Sequence, residues 1–169
     1  FVGSRGLGDV YKRQVEESDE EGKSRFNRDE AGMVLDVVNH LLAGGDLAPH
    51  DIGVISPYNG QVRELTRLFE SAGGREKGQP YFGLEIKSVD GYQGREKEII
   101  VFSTVRANER GEVGFLADYR RLNVAITRAK RGLVLLGHPK TLRHDGTWRS
   151  YLDWVEENQL FAWHVSHGM

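Results

Sequence analysis

The sequence predicts an α/β protein with a mainly parallel sheet covered by helices on both faces. Three observations predict it. Runs such as Ile52-Gly-Val-Ile-Ser56 and Gly132-Leu-Val-Leu-Leu-Gly137 are short and almost continuously apolar, as strands buried on both sides must be. Segments with helical periodicity alternate with them. No internal repeat or long linker divides the 169 residues, so one core is expected.

Each element has its own signal. Asn27, with Glu30 three residues on, reads as a capping box, and Ala31, Val34, Leu35, Val38, Leu41 and Leu42 follow helical spacing up to Gly44-Gly45. A strand over 52–56 meets Pro57, and Val62, Leu65, Leu68, Phe69 and Ala72 mark a second helix. A Gly-rich loop over 71–81 leads to a strand over 84–89 and another over 98–105. A polar turn over 108–113 precedes a helix over 119–130. The strand over 132–137 and a helix over 148–160 complete the domain, in which Trp148, Tyr151, Leu152 and Val155 form the apolar face while Trp154 points elsewhere.

Composition narrows the class. A hydrophobic share of 38% and a net charge of −2 suit a globular domain, as does a mean hydropathy of −0.51. No apolar run approaches the ~20 residues of a membrane span, so no membrane partner is expected. The chain has no cysteine, which excludes disulfides and thiolate metal sites and suits an intracellular location, cytoplasmic or nuclear. The six histidines form no ligand set, and no metal site is expected. The acidic run over 16–21 reads as a solvated loop. Residues 1–14 lack periodicity and read as foreign to the domain, which is expected over 15–161, with a tail over 162–169.

Three segments carry possible chemistry. In Ser88-Val-Asp-Gly-Tyr-Gln-Gly-Arg-Glu96, a glycine permits close backbone approach to a ligand, and a carboxylate can accept ribose hydroxyls. The competing reading is a tight polar connection with a local Arg95–Glu96 ion pair. In Arg120-Arg-Leu-Asn-Val-Ala-Ile-Thr-Arg-Ala-Lys130, the residues Leu122, Ala125, Ile126 and Ala129 share the core face, and Arg121 and Arg128 flank it. An arginine there can reach a phosphate across a cleft; a solvated basic helix is the plainer account. Val124 falls on the polar face and suggests a covering partner. Ser56-Pro-Tyr-Asn-Gly-Gln61 offers polar groups at a helix N-terminus and an aromatic ring for base stacking. Ordinary capping by Ser56 or Asn59, with Tyr58 half buried, explains it equally well. Neither a Gly-x-x-x-x-Gly-Lys-Ser/Thr phosphate loop nor a strand ending in paired acids occurs in the chain.

The segments over 88–96 and 120–130, with Val105-Arg-Ala-Asn108 and Gly114-Phe-Leu116 between them and Ser56-Pro-Tyr58 before them, resemble motifs of the C-terminal RecA-like domain of superfamily 1 helicases that move 5′ to 3′. The nonsense-mediated-decay RNA helicases and the immunoglobulin-mu-binding helicases are the groups most similar. The resemblance implies a RecA-like fold, that of phosphate-loop NTPases, without a phosphate loop of its own. It implies that Arg128 touches the γ-phosphate of ATP, that Glu96 holds the ribose with Gly94 allowing close approach, and that Ser56, Pro57, Tyr58, Ser88 and Asp90 line a single-stranded RNA or DNA track. ATP and Mg2+ are then held mainly by an N-terminal RecA-like lobe of the same protein. The family's Tyr-Arg-Met-His-Pro segment does not occur before residue 15, so a fragment is expected, inactive by itself. The alternative function is a non-catalytic helicase-like module that binds nucleic acid or protein. An unrelated α/β nucleotide-binding enzyme is a third reading, and it lacks a phosphate cradle.

Overall fold

The computed structural model describes residues 2–4, 15–18 and 24–164. Its centre is four parallel strands in the order β5–β4–β6–β7, where β4 is Ile52–Ser56, β5 Glu85–Ser88, β6 Lys97–Ser103 and β7 Ala129–Gly137. Two short strands, β1 (Val2–Ser4) and β8 (Ala162–His164), continue the sheet beyond β7, also in parallel. Residues 2–4 and 162–164, set apart from the domain in the sequence reading, thus pair with its edge, while 5–14 and 165–169 lie outside the described residues. A two-residue antiparallel ladder joins β2 (Glu17–Ser18) to β3 (Arg25–Phe26).

The parallel sheet with helices on both faces is the fold class that the alternating pattern predicts. Along β4, Ile52 and Val54 face one side and Gly53 and Ile55 the other. On the first side they meet Ala31, Val34 and Val38 of α1 (Arg28–Ala43) and Leu65 and Phe69 of α2 (Asn59–Ser71). On the second side Ile55, Ile100, Phe102 and Leu135 meet Leu122 and Ala125 of α3 (Tyr119–Arg128) and Trp148 and Leu152 of α5 (Gly146–Glu157). A short helix, α4 (Pro139–Leu142), has no periodic signal in the sequence and is capped by His138.

Two helices depart from expectation. Asn27 caps α1 by accepting from the Glu30 N–H, but the Glu30 side chain does not return to complete the box. It turns inward to Ser103 and Val105. Helix α3 stops at Arg128, because Ala129 pairs with Lys97 and residues 129–131 are drawn into β7. Its buried face is also rotated from the expected one. Val124 packs against the core, Ile126 is 44% exposed, and Arg121 and Arg128 become half-buried. Val124 therefore needs no partner to cover it.

The connection from β5 to β6 is the tightest feature of the topology. Parallel strands normally need a dozen or more connecting residues. Here residues 89–96 run back across the face of β4, with a 3-10 turn over Asp90–Tyr92. Tyr92 is fully buried against Gly53, where an added Cβ would lie 2.1 Å from its Oη. Gly53→Ala is therefore expected to destabilise the domain by about 1–3 kcal/mol through overpacking. Gly32→Ala, in open space on α1, should be neutral or stabilise by roughly 0.5–1 kcal/mol. Urea unfolding of both variants checks the contrast.

Candidate nucleotide and nucleic-acid edges

The crossover separates the expected site residues onto two edges of the sheet. Ser56 and Ser88 are register partners at the carboxyl ends of β4 and β5, and Asp90 follows directly. Gly94 and Glu96 lie at the opposite, amino-terminal edge, where the chain enters β6. There Lys97 pairs with Ala129, so Glu96 and Arg128 each stand one residue before a matched pair on neighbouring strands. Residues 88–96 begin at one edge and finish at the other. Ser56 and Ser88 thus share one edge, and Gly94–Glu96 stand at the other.

At the amino edge, Gly94 has φ +74°, a conformation that suits glycine, and nothing crowds its Cα. Arg95 pairs with Glu85 at 2.8 Å rather than with Glu96, which stands exposed. Arg120 pairs with Asp118, Arg121 with Asp118, and Arg131 with Asp46. Of the arginines over 120–131, Arg128 alone has no carboxylate partner among the described residues. Its one hydrogen bond there is a 3.5 Å contact from Nη2 to the Thr127 hydroxyl, and its Nε is buried and unpartnered. A half-buried guanidinium with an unused donor can accept an anion at little further ordering cost.

The carboxyl edge differs from expectation in detail. Ser56 is fully buried, and its Oγ accepts from the Tyr58 N–H. Tyr58 itself occupies the N-cap position of α2 without a side-chain cap, so neither Ser56 nor Asn59 caps that helix. The Gly60 N–H of its first turn donates to Ser24 Oγ at 2.8 Å, so Ser24 occupies a position expected to attract phosphate. Tyr58 is only 4% exposed. Its hydroxyl donates to the Val113 carbonyl and accepts from Arg106 Nη1 and the Phe115 N–H. Direct base stacking by this ring does not fit its burial; the ring stacks on Phe115 instead, with centroids 5.3 Å apart. Pro57 is half-buried, Ser88 accepts from the Gly91 N–H, and Asp90 is exposed.

Sequence reasoning missed the groups that hold this edge. Glu16 belongs to the acidic run expected to be solvated, yet its side chain is buried and pairs with buried Arg106 at 2.7 Å. Burial pushes the Glu16 carboxyl up, but hydrogen bonds from Arg106, Asn108 and the Ala107 amide hold it below its ordinary value. Glu30 is buried too. Its Oε1 accepts from Ser103 Oγ at 2.6 Å and from the Val105 N–H at 2.8 Å. Asn27 Nδ2 donates to the Val105 carbonyl, and Gln61 links Asn27 to Ser103. Val105 sits between them at φ +71°, an unusual state for a β-branched residue. Its polar backbone is held on both sides by α1. Glu30 three residues after Asn27 was the visible signal, assigned to capping rather than to burial.

Comparison with known proteins gives the family. The sequence profile of a family described as an AAA domain matches residues 7–140. The chain belongs to this family. It is 46% identical over 137 residues to "Regulator of nonsense transcripts 1 homolog" of Neurospora crassa, covering 81% of this chain and 12% of that protein. To "ATP-dependent helicase NAM7" of Saccharomyces cerevisiae it is 44% identical, covering 81% of this chain and 14% of that protein. To "DNA polymerase alpha-associated DNA helicase A" of the same yeast it is 40% identical over 153 residues, covering 89% and 21%. The AAA domain described here is thus helicase-related and RecA-like, and it spans between a tenth and a quarter of the length of these relatives. Among its described residues no helix is long and apolar enough to cross a membrane.

The buried Glu30 carboxyl gives the AAA domain a specific pH signature. Burial raises its pKa from 4.5 to about 7, against the hydrogen bonds from Ser103 and the Val105 and Thr104 amides. The folded state therefore holds this proton more tightly than the unfolded chain. Its contribution to stability is complete below pH 4.5 and is lost as pH rises through 7. Glu30→Gln keeps the accepting oxygen and removes the titration. The difference in unfolding free energy between variant and wild type should shift by on the order of 3 kcal/mol in favour of the variant between pH 4 and pH 8. Urea titrations across that range measure it, and a constant difference would remove Glu30 as the source.

Proposed function

We propose that this domain is the second motor lobe of an ATP-dependent helicase that moves 5′ to 3′ on single-stranded RNA or DNA. The observation that carries the proposal is the pairing of Lys97 with Ala129, which sets Glu96 and Arg128 side by side at the amino edge while Arg128 lacks a carboxylate partner among the described residues. The helicase names of the relatives support the same reading.

ATP, bound between this lobe and an N-terminal RecA-like lobe of the same protein, would supply a γ-phosphoryl group whose transfer to water, releasing ADP and phosphate, drives the motor. The amino edge fits such a nucleotide: Glu96 is exposed, Gly94 is uncrowded, and Arg128 Nε is buried with no partner among the described residues. Arg128 would direct its planar fork at the γ-phosphate and neutralise charge that develops there. Glu96 would accept ribose hydroxyls, and Gly94 would let the backbone approach. Mg2+ would be held mainly by the N-terminal lobe together with the nucleotide phosphates. At the carboxyl edge Ser88 and Asp90 would face the strand, with Ser56 and Pro57 shaping the turn beneath. Residues 88–96 would link the two edges mechanically.

A second reading is a helicase-like module that binds nucleic acid or protein without catalysis. The two readings differ in one experiment. The chain as it stands is expected not to hydrolyse ATP. Joined to a competent N-terminal lobe it should do so with nucleic-acid stimulation, and Arg128→Ala should then lower turnover by roughly 10³–10⁵ without changing the melting temperature. Wild-type turnover by that variant would remove the finger role. A two-lobed protein without any ATPase activity would favour the non-catalytic module.

A further inference from the structure

Phe115 is an exposed aromatic ring held in place as firmly as a buried one. It lies in a 3-10 turn over Gly114–Ala117, between β6 and α3, and is 53% exposed. Its ring stacks on buried Tyr58 at an interplanar angle of 28°. Its N–H donates to Tyr58 Oη, and its carbonyl accepts from Arg121 Nη1 at 3.1 Å. The Arg121 guanidinium lies over the ring, 5.2 Å from its centroid. Beneath the turn, Trp148 Nε1 donates to the Leu116 carbonyl. Backbone and ring are thus fixed while half of the side chain faces solvent. An apolar surface left wet but already ordered loses little entropy when a flat ligand covers it.

We infer that Phe115 is a base-stacking platform for single-stranded nucleic acid, with Tyr58 as its support and Arg121 as a cation held over its ring. The inference rests on the nucleic-acid reading above and deepens it at the carboxyl edge. Tyr58 follows β4 by two residues, and Ser56 at the end of that strand is level with Ser88, so the ring belongs to the edge where the strand would run. The platform assigns the stacking role to the exposed ring of the pair instead of the buried one. Stacking on an aromatic face tolerates every base, and a nearby guanidinium adds attraction for ring and phosphate alike. The surrounding acids do not oppose this strongly. Asp118 is paired with Arg120 and Arg121, and Glu112 lies near Arg106 and Arg110.

The test is fluorescence anisotropy of a labelled oligouridylate and a labelled oligothymidylate with the whole chain at low salt. Phe115→Ala and Phe115→Leu should each weaken binding by roughly 5- to 150-fold, and Phe115→Trp should retain it. Phe115→Leu keeps apolar bulk without a π face, so its loss separates stacking from general hydrophobic contact. Phe82→Ala serves as the control. That ring is 52% exposed but precedes β5 at the amino edge, and its removal should leave affinity unchanged. An oligonucleotide with abasic sites should bind wild type and Phe115→Leu equally. Binding that is unaffected by Phe115→Ala, with thermal melting unchanged, would overturn the platform and leave the nucleic-acid reading intact. Absence of any binding by wild type would overturn both. Phe115→Leu binding like wild type would reassign the patch to apolar protein contact.

Discussion

The short return from β5 to β6 is the constraint on which the architecture turns. Both strands run parallel beside β4, so the chain must travel back along the sheet, and residues 89–96 do so directly over its face. This is possible because Gly53 leaves a gap that the Tyr92 ring fills. A helix in that position would occupy the same face and separate the ends of the segment. The direct crossing keeps them connected, so one stretch of sequence places Ser88 and Asp90 at one edge and Gly94 and Glu96 at the other.

A second constraint acts at the carboxyl edge. Parallel sheets leave unpaired backbone groups where their strands end, and these must be satisfied if buried. After β6 the task falls to Glu30, Asn27 and Gln61, which together hold Ser103 and both polar backbone groups of Val105. The positive φ of Val105 precedes Arg106, which reaches Tyr58 and Glu16. The network thus joins the first turn of α1, the first turn of α2 and the loop that carries Phe115 through hydrogen bonds. Its burial makes it costly to leave incomplete, which explains why polar residues persist inside an otherwise apolar layer.

The basic residues around α3 show how local pairing sorts similar side chains. In composition Arg120, Arg121, Arg128 and Arg131 are equivalent. In the fold three of them meet carboxylates, and Arg121 also clamps Phe115. Arg128 is distinguished by what surrounds it. The helix ends there, its stem is partly covered, and its Nε faces no acceptor among the described residues. That distinction depends on a rotation of α3 that also exposes Ile126 and buries Val124.

By itself the sequence determined the fold class, the central strands and helices, and the motifs over 88–96 and 120–130. Those are properties of period and local order: continuous apolar runs make buried strands, helical spacing makes amphipathic faces, and β4 was read to the residue. Only the tertiary structure decided where the motifs lie. Spacing along a chain does not reveal that residues 88–96 cross a sheet, that Glu96 and Arg128 each precede one member of the Lys97–Ala129 pair, or that Tyr58 is buried while Phe115 faces outward. Nor does it reveal the inward turn of Glu30 or the burial of Glu16, since a carboxylate near a helix start or in an acidic run is ordinarily solvated. Strand pairing and side-chain burial join residues far apart in sequence, and they follow from the packed arrangement of the whole domain rather than from any window within it.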